Sequence, residues 1–187
     1  SRNGDLIHKV YLEVEVQLDS STTCAKVHEV RPWIKHLGYS IIESIEVEIG
    51  GQKIDKHYGN WMFIWNELSQ PSGKKDGINA MISGYGDLTG GTPFTPGITS
   101  VSLTRKVYVP LQFWFCRNPG LALPLIALQY HEVRINIAFK EARSALKRNK
   151  HTENMIPIIR KASLYVDYIY LDTNERRRFA QESHEYL

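Results

Sequence analysis

Leu12-Glu13-Val14-Glu15-Val16-Gln17-Leu18 decides the fold. Apolar and polar side chains alternate along it, the period of two that belongs to a pleated strand with one buried face. The rhythm returns in Ile41 to Ile49, where Ile45, Val47 and Ile49 alternate with Ser44, Glu46 and Glu48. Gly50-Gly51 follow, two positions that accept positive φ and so suit a tight hairpin. From Val101 the odd positions carry Val101, Leu103, Val107, Val109, Leu111, Phe113 and Phe115, with Arg105 the exception. Pro110 has no N–H to donate, so two strands are expected to meet there at an edge or bulge. Val133, Ile135, Ile137 and Phe139 alternate with Glu132, Arg134 and Asn136, and Leu164 to Leu171 forms a final tyrosine-rich strand. Glu13, Glu15, Glu46 and Glu48 are expected to form exposed rows facing solvent or a basic neighbour.

Two segments keep a different period. Trp61, Ile64, Trp65 and Leu68 stand at i, i+3, i+4 and i+7, one stripe of a short helix. Asn60 is its expected N-cap, Pro71 and Gly73 its stop, and Trp65 its core anchor. Asp172 with Glu175 three residues later reads as a capping pair opening a helix over 172–187. Residues 69–100, rich in Gly, Pro, Ser and Thr, read as a long loop excursion, unusual in a compact domain and commonly functional. Asn118-Pro119-Gly120 is a turn, Leu121 to Leu128 is apolar and expected to be buried, and Lys140 to Lys150 is a charged turn or loop. Six or seven strands with no long helices between them favour an antiparallel sandwich over a parallel βαβ sheet.

A chain of 187 residues, 42% hydrophobic and 23% charged, fits one domain with a real core. No apolar run approaches the roughly 18 residues of a membrane span, and no signal-peptide pattern opens the chain. Both ends read as cuts through a longer protein. Two cysteines, Cys24 and Cys116, make no disulfide framework and favour reduced thiols and intracellular synthesis. A net charge of +3 does not by itself argue for nucleic acid.

Catalytic, cofactor and metal motifs are all wanting. The histidines His8, His28, His36, His57, His131, His151 and His184 include no H-x-H pair, and His131-Glu132 lacks the second helical histidine of zinc proteases. Asp55 and His57 imitate part of a dyad but read as surface groups on a hairpin arm, with no G-x-S-x-G to supply a nucleophile. Gly84-Tyr85-Gly86-Asp87-Leu88-Thr89-Gly90 misplaces the third glycine of a dinucleotide fingerprint and lacks its strand and helix. The basic clusters Arg143, Lys147, Arg148, Lys150 and Arg176, Arg177, Arg178 read as solvated faces or subunit salt bridges, with no direct nucleic-acid binding expected. No catalytic, cofactor-binding or metal-binding residue is assigned, and the chain is expected not to be an enzyme.

Four segments carry a resemblance. They are Ser1-Arg2-Asn3-Gly4-Asp5-Leu6; Ile45-Glu46-Val47-Glu48-Ile49-Gly50-Gly51-Gln52-Lys53-Ile54-Asp55-Lys56-His57-Tyr58-Gly59, running into Trp61 and Ile64-Trp65-Asn66-Glu67-Leu68; Val109-Pro110-Leu111-Gln112-Phe113-Trp114-Phe115-Cys116-Arg117-Asn118-Pro119-Gly120, continuing through Leu123 to Val133; and Leu171-Asp172-Thr173 with Glu175-Arg176-Arg177-Arg178-Phe179-Ala180. In this order they resemble the major capsid proteins of nucleocytoplasmic large DNA viruses, the iridovirus, phycodnavirus and mimivirus group. The resemblance implies an all-β, antiparallel eight-stranded jelly roll, the first of two in the subunit. Residues 1–187 would form an incomplete N-terminal roll lacking its earliest strands, with the second roll beyond Leu187. It further implies a homotrimeric, pseudo-hexameric capsomer in an icosahedral virion shell, contacting neighbouring capsomers and minor capsid proteins. The competing expectation is a lectin-like sandwich that binds host glycans through Tyr85 and Phe94 in the long loop.

Overall fold

A computed structural model of the chain describes residues 4–18, 33–83, 104–146 and 155–181. The order is β1 (Leu6–Leu18), α1 (Leu37–Ser40), β2 (Ile42–Ile49), β3 (Gln52–Tyr58), α2 (Gly59–Ser69), α3 (Ser72–Ile82), β4 (Thr104–Pro110), α4 (Trp114–Arg117), β5 (Leu123–Pro124), β6 (Val133–Phe139), β7 (Pro157–Ile169) and α5 (Thr173–Gln181). Every strand pairing among the described residues is antiparallel. In the first sheet β1 is central, with β7 along one edge and β4, then β5, along the other; the second sheet has the order β3-β2-β6. The two-sheet, mostly β architecture expected from the period of two is the one found.

The inward sides of both sheets share one core. Leu12, Val14 and Val16 from β1, Val107 and Val109 from β4, and Ile45 and Val47 from β2 belong to a single buried cluster, into which Trp33, Leu37, Met62 and Ile82 also pack. The β2–β3 hairpin turns at Gly50 (φ 58°) and Gly51 (φ 84°), as their sequence suggests. A side chain at Gly50 would also strike the His131 ring, 2.7 Å from its Cβ position.

The core is closed on one flank and open on the other. Across the first sheet, Val109, Leu12 and Leu164 stand in one row, with exposures of 0%, 1% and 39%. In the second sheet Val133, Ile135 and Ile137 of β6 are only half-buried, whereas their β2 partners Ile49, Val47 and Ile45 are buried. Among the described residues, nothing pairs with the far edges of β6 and β7; those of β3 and β4 have no strand partner either, but α2 packs against β3 and α3 against β4. Apolar side chains that should be interior are therefore left half in water, an arrangement a sandwich cannot favour.

Several local expectations need correction. Residues 69–100 are not wholly loop, because α3 spans Ser72–Ile82, sustained by Ile82 packing against Gly38 and buried in the core; residues 84–100 lie outside the described residues. Pro71 sits at the N-cap of α3 and Gly73 lies inside it, so this pair opens a helix as well as closing one. Asn60 is not the cap of α2: the helix begins at Gly59 with Tyr58 before it. Strand β4 ends at Pro110. Leu111, Phe113 and Phe115 are buried as their alternation suggests, but after Leu111 N–H donates to Val10 O the chain leaves the ladder for the single turn α4. Leu121 is 53% exposed, although Leu123 and Leu128 are buried. Strand β7 starts well before Leu164, at Pro157, because Arg160 and Lys161 disguise its first half.

The capping pair is reciprocal. Glu175 N–H donates to Asp172 Oδ1 (2.8 Å) and Asp172 N–H to Glu175 Oε2 (3.2 Å), closing a capping box at the start of α5. Asp5 then ties the N-terminal end of β1 to this corner. Its Oδ2 accepts from Leu171 N–H at 2.8 Å and from Arg176 Nε at 3.0 Å, and Arg176 accounts for one member of the basic cluster.

Candidate functional site

Both glutamate rows face basic neighbours, the second of the two expected surroundings, and are less exposed than their alternation suggests: Glu15 and Glu48 are half-buried, with Lys106 and Arg134 beside them. Glu13 and Glu46 stand on outward faces yet are buried, because long neighbours fold over them. Burial works against the Glu13 charge, but the Tyr108 and Tyr165 hydroxyls and the Lys106 and Lys161 ammoniums outweigh it and hold its pKa below the ordinary value. Lys56 at 2.6 Å and Lys53 at 3.0 Å do the same for Glu46. These clusters brace neighbouring strands across each sheet.

Asp55 and His57 do meet, with His57 Nε2 3.1 Å from Asp55 Oδ2; the carboxylate is half-exposed, whereas the ring is inside. His57 is 5% exposed. Its ring lies between Trp61 (centroids 4.1 Å apart) and Phe113 (4.6 Å). The stack continues through Phe115 at one end and Trp65 at the other, where the Arg117 guanidinium lies 4.2 Å from the Trp65 centroid. This column fastens β3, α2 and the segment after β4 to one another. With both faces of its ring covered, His57 is a packing element whose polar edge is satisfied by Asp55. The sequence signal was present in His57, Trp61 and Trp65, but the contribution of Phe113 comes from a distant segment.

The column carries a pH dependence. Burial lowers the His57 pKa, Asp55 pulls it back and Arg117 lowers it further; the lowering prevails. His36 is lowered too, by burial first, against Glu67 and with Lys35 and Lys75. The unfolded chain therefore takes up protons on these rings before the native chain does. Their contribution to stability is complete above about pH 6.5 and is lost as pH falls from there towards the folded values. Asp5, Glu13 and Glu46, all held low, add stability that is present above the ordinary carboxylate range and lost below it. Urea midpoints measured from pH 8 to pH 3 are expected to fall in two stages. His57→Phe keeps a ring in the stack and should flatten the upper stage, leaving the part due to His36; an unaltered upper stage would contradict this assignment.

The other candidates disperse. Cys116 is buried, and burial pushes its thiol up to about 11, which removes it as a nucleophile near neutrality. Cys24, His28, His151, His184, Lys147, Arg148, Lys150 and the loop residues Tyr85 and Phe94 lie outside the described residues. Trp33 is fully buried, whereas Trp65, expected in the core, is half-buried at the end of the stack. The stripe of α2 is split: Trp61 and Trp65 face the column while Ile64 and Leu68 are 55% and 82% exposed. With Tyr58 and, elsewhere, Leu121, Tyr130 and Tyr170, they leave large apolar groups on the surface, the material from which protein–protein contacts are made. Among the described residues no helix is long and apolar enough to cross a membrane.

Capsid proteins of large DNA viruses are similar to this chain over its whole length. The family model for the major capsid protein N-terminus matches residues 1–172. The major capsid protein of Pyramimonas orientalis virus is 52% identical over 187 residues, covering 100% of this chain and 42% of that protein. Capsid protein 1 of Acanthamoeba polyphaga mimivirus is 43% identical, covering 100% of this chain and 33% of its own length. Among solved structures, PBCV-1 VP54, fitted into a reconstruction of the virophage Sputnik, matches with a TM-score of 0.73 at 34% identity, covering 100% of this chain and 40% of that one. A quasi-atomic model of the PBCV-1 virus capsid matches equally well. The chain thus spans about two fifths or less of the length of these relatives. By the family match over most of its length and by its likeness to these relatives, the chain belongs to the major capsid protein family of large DNA viruses and corresponds to the N-terminal part of that family.

Proposed function

We propose that this chain is the first roll of a two-roll major capsid protein, a non-enzymatic brick of an icosahedral virion shell. Three subunits would form each pseudo-hexameric capsomer, in contact with neighbouring capsomers and minor capsid proteins. The observation that carries the reading is the open flank of the sandwich. A row running from 0% exposure at Val109 to 39% at Leu164, beside edges of β6 and β7 that are unpaired among the described residues, has the form of a jelly roll awaiting two more strands. One strand added to each edge would bury Leu164, Ala162 and the inward side of β6. It would also raise the seven strands seen among the described residues above the eight expected, if β5, only two residues long, is counted as a full strand.

A brick needs stiffness and complementary faces more than a reactive group. The sheet-bracing clusters at Glu13 and Glu46 and the aromatic column supply the first, and the exposed Ile64, Leu68 and Tyr130 supply material for the second. The test is native mass spectrometry of the whole protein at micromolar concentration. A trimer is the expected species; a stable monomer with no larger form would overturn the capsomer reading.

A further inference from the structure

A cavity of about 440 Å³ opens where α2 and α3 meet the first half of β1 and the end of β4, and among the described residues no acidic side chain lines it. Lys9, Lys74 and Arg117 are among its lining residues, with Trp65, Gln70 and Gln112. Glu67, the acidic residue of α2, is not among the lining residues and is paired with Lys75 at 2.8 Å. Three cationic residues and no acidic one among the described lining give the cleft a charge that complements an anion. From this we infer that the cleft is a docking site for an acidic peptide segment of a partner protein.

Arg117 is built as a receptor. Its Nε donates to Gln112 O at 2.8 Å, and its plane rests over Trp65, with Trp61 5.6 Å away. Held in this way, the guanidinium offers its terminal N–H groups with little rotational freedom left to lose, the condition under which a planar carboxylate is bound best. Lys9 and Lys74, both exposed, add positive charge to the same cleft. The amide side chains of Gln70 and Gln112 match the donors and acceptors of a peptide backbone. Ile78 and Met81 add an apolar lining suited to a hydrophobic side chain beside the acids. Nucleic acid, by contrast, calls for cations spaced along a track with bases stacked on aromatic faces. Here the three cationic residues line a single cleft of about 440 Å³.

The inference rests on the residues of the cleft and stands apart from the shell role. Its test is fluorescence anisotropy of the whole protein with a labelled peptide alternating glutamate and leucine. Saturable binding is expected, weakening as salt rises. Lys9→Glu with Lys74→Glu should reduce affinity at least about tenfold, while the charge-matched control Lys140→Glu with Arg177→Glu should leave it within about twofold. Thermal melts of both variants establish that each is folded. The proposal is overturned by no binding, by equal binding of the glutamine–leucine peptide, by an equal loss in the control, or by oligothymidine or inorganic phosphate displacing the peptide at lower concentration than unlabelled peptide does. Trimer formation by the Lys9/Lys74 variant would show that the peptide site and capsomer assembly fail or succeed separately.

Discussion

Gly59→Ala is expected to abolish cooperative folding, or to destabilise the protein by more than about 4 kcal/mol, at the extreme end for one substitution. A Cβ at this position would lie 2.1 Å from Tyr39 O and 2.6 Å from Ile42 O. Both are backbone atoms, so no rotamer change relieves the clash; α2 would have to move away from α1 and the start of β2. That movement would break the seating of Met62 in the core and misalign Trp61 against His57. Gly77→Ala is the matched control. Inside α3, a Cβ at Gly77 meets nothing within 4 Å, so alanine should stabilise by about 0.5–1 kcal/mol through helix propensity. Thermal melts of the two variants should therefore move in opposite directions. A Gly59→Ala protein that melts within a few degrees of the parent would mean that α2 is not seated as described.

Phe113→Ala is expected to cost about 3–5 kcal/mol, the range for deleting a large aromatic from a core that cannot collapse around the gap. Phe113 is 0% exposed and stacks on His57 on one side and Phe115 on the other. Its removal leaves a void and uncovers one face of the histidine, so the stability lost should be accompanied by a rise of the His57 pKa towards its ordinary value. Denaturant titration reads the first effect and NMR titration of the ring the second. Leu68→Ala, at an 82% exposed position on the same α2, should change stability by less than about 0.5 kcal/mol. If both variants lose the same stability, the column is not a core element.

The strands were legible because a single physical rule, alternation across a half-buried sheet, writes itself directly into Leu12–Leu18, Ile45–Ile49 and Val133–Phe139. Where the reading failed, tertiary contacts had overridden the local pattern. Phe113 and Phe115 alternate like strand residues, yet Pro110 had already ended the ladder and both rings serve the aromatic column. Glu13 and Glu46 occupy outward positions but are covered by lysine stems and tyrosine rings from neighbouring strands, which no single strand can reveal. Helix α3 was hidden by Gly73 and Gly77, poor helix formers held in place by Ile82 against Gly38. His57 looked like a surface group because its burial depends on Phe113, more than fifty positions away. The family resemblance was strong in sequence because it runs through these same packed segments, whereas the basic cleft was not legible at all. Lys9, Lys74 and Arg117 lie far apart in the chain and are brought together only by the fold.

Electron cryomicroscopy of the purified, assembled particle tests the central reading most directly. The two sheets should dock as a rigid unit into repeating units of the outer shell, with additional strand density continuous along the free edges of β6 and β7. A shell map with no place for this sandwich, or one in which both edges face open solvent, would contradict it.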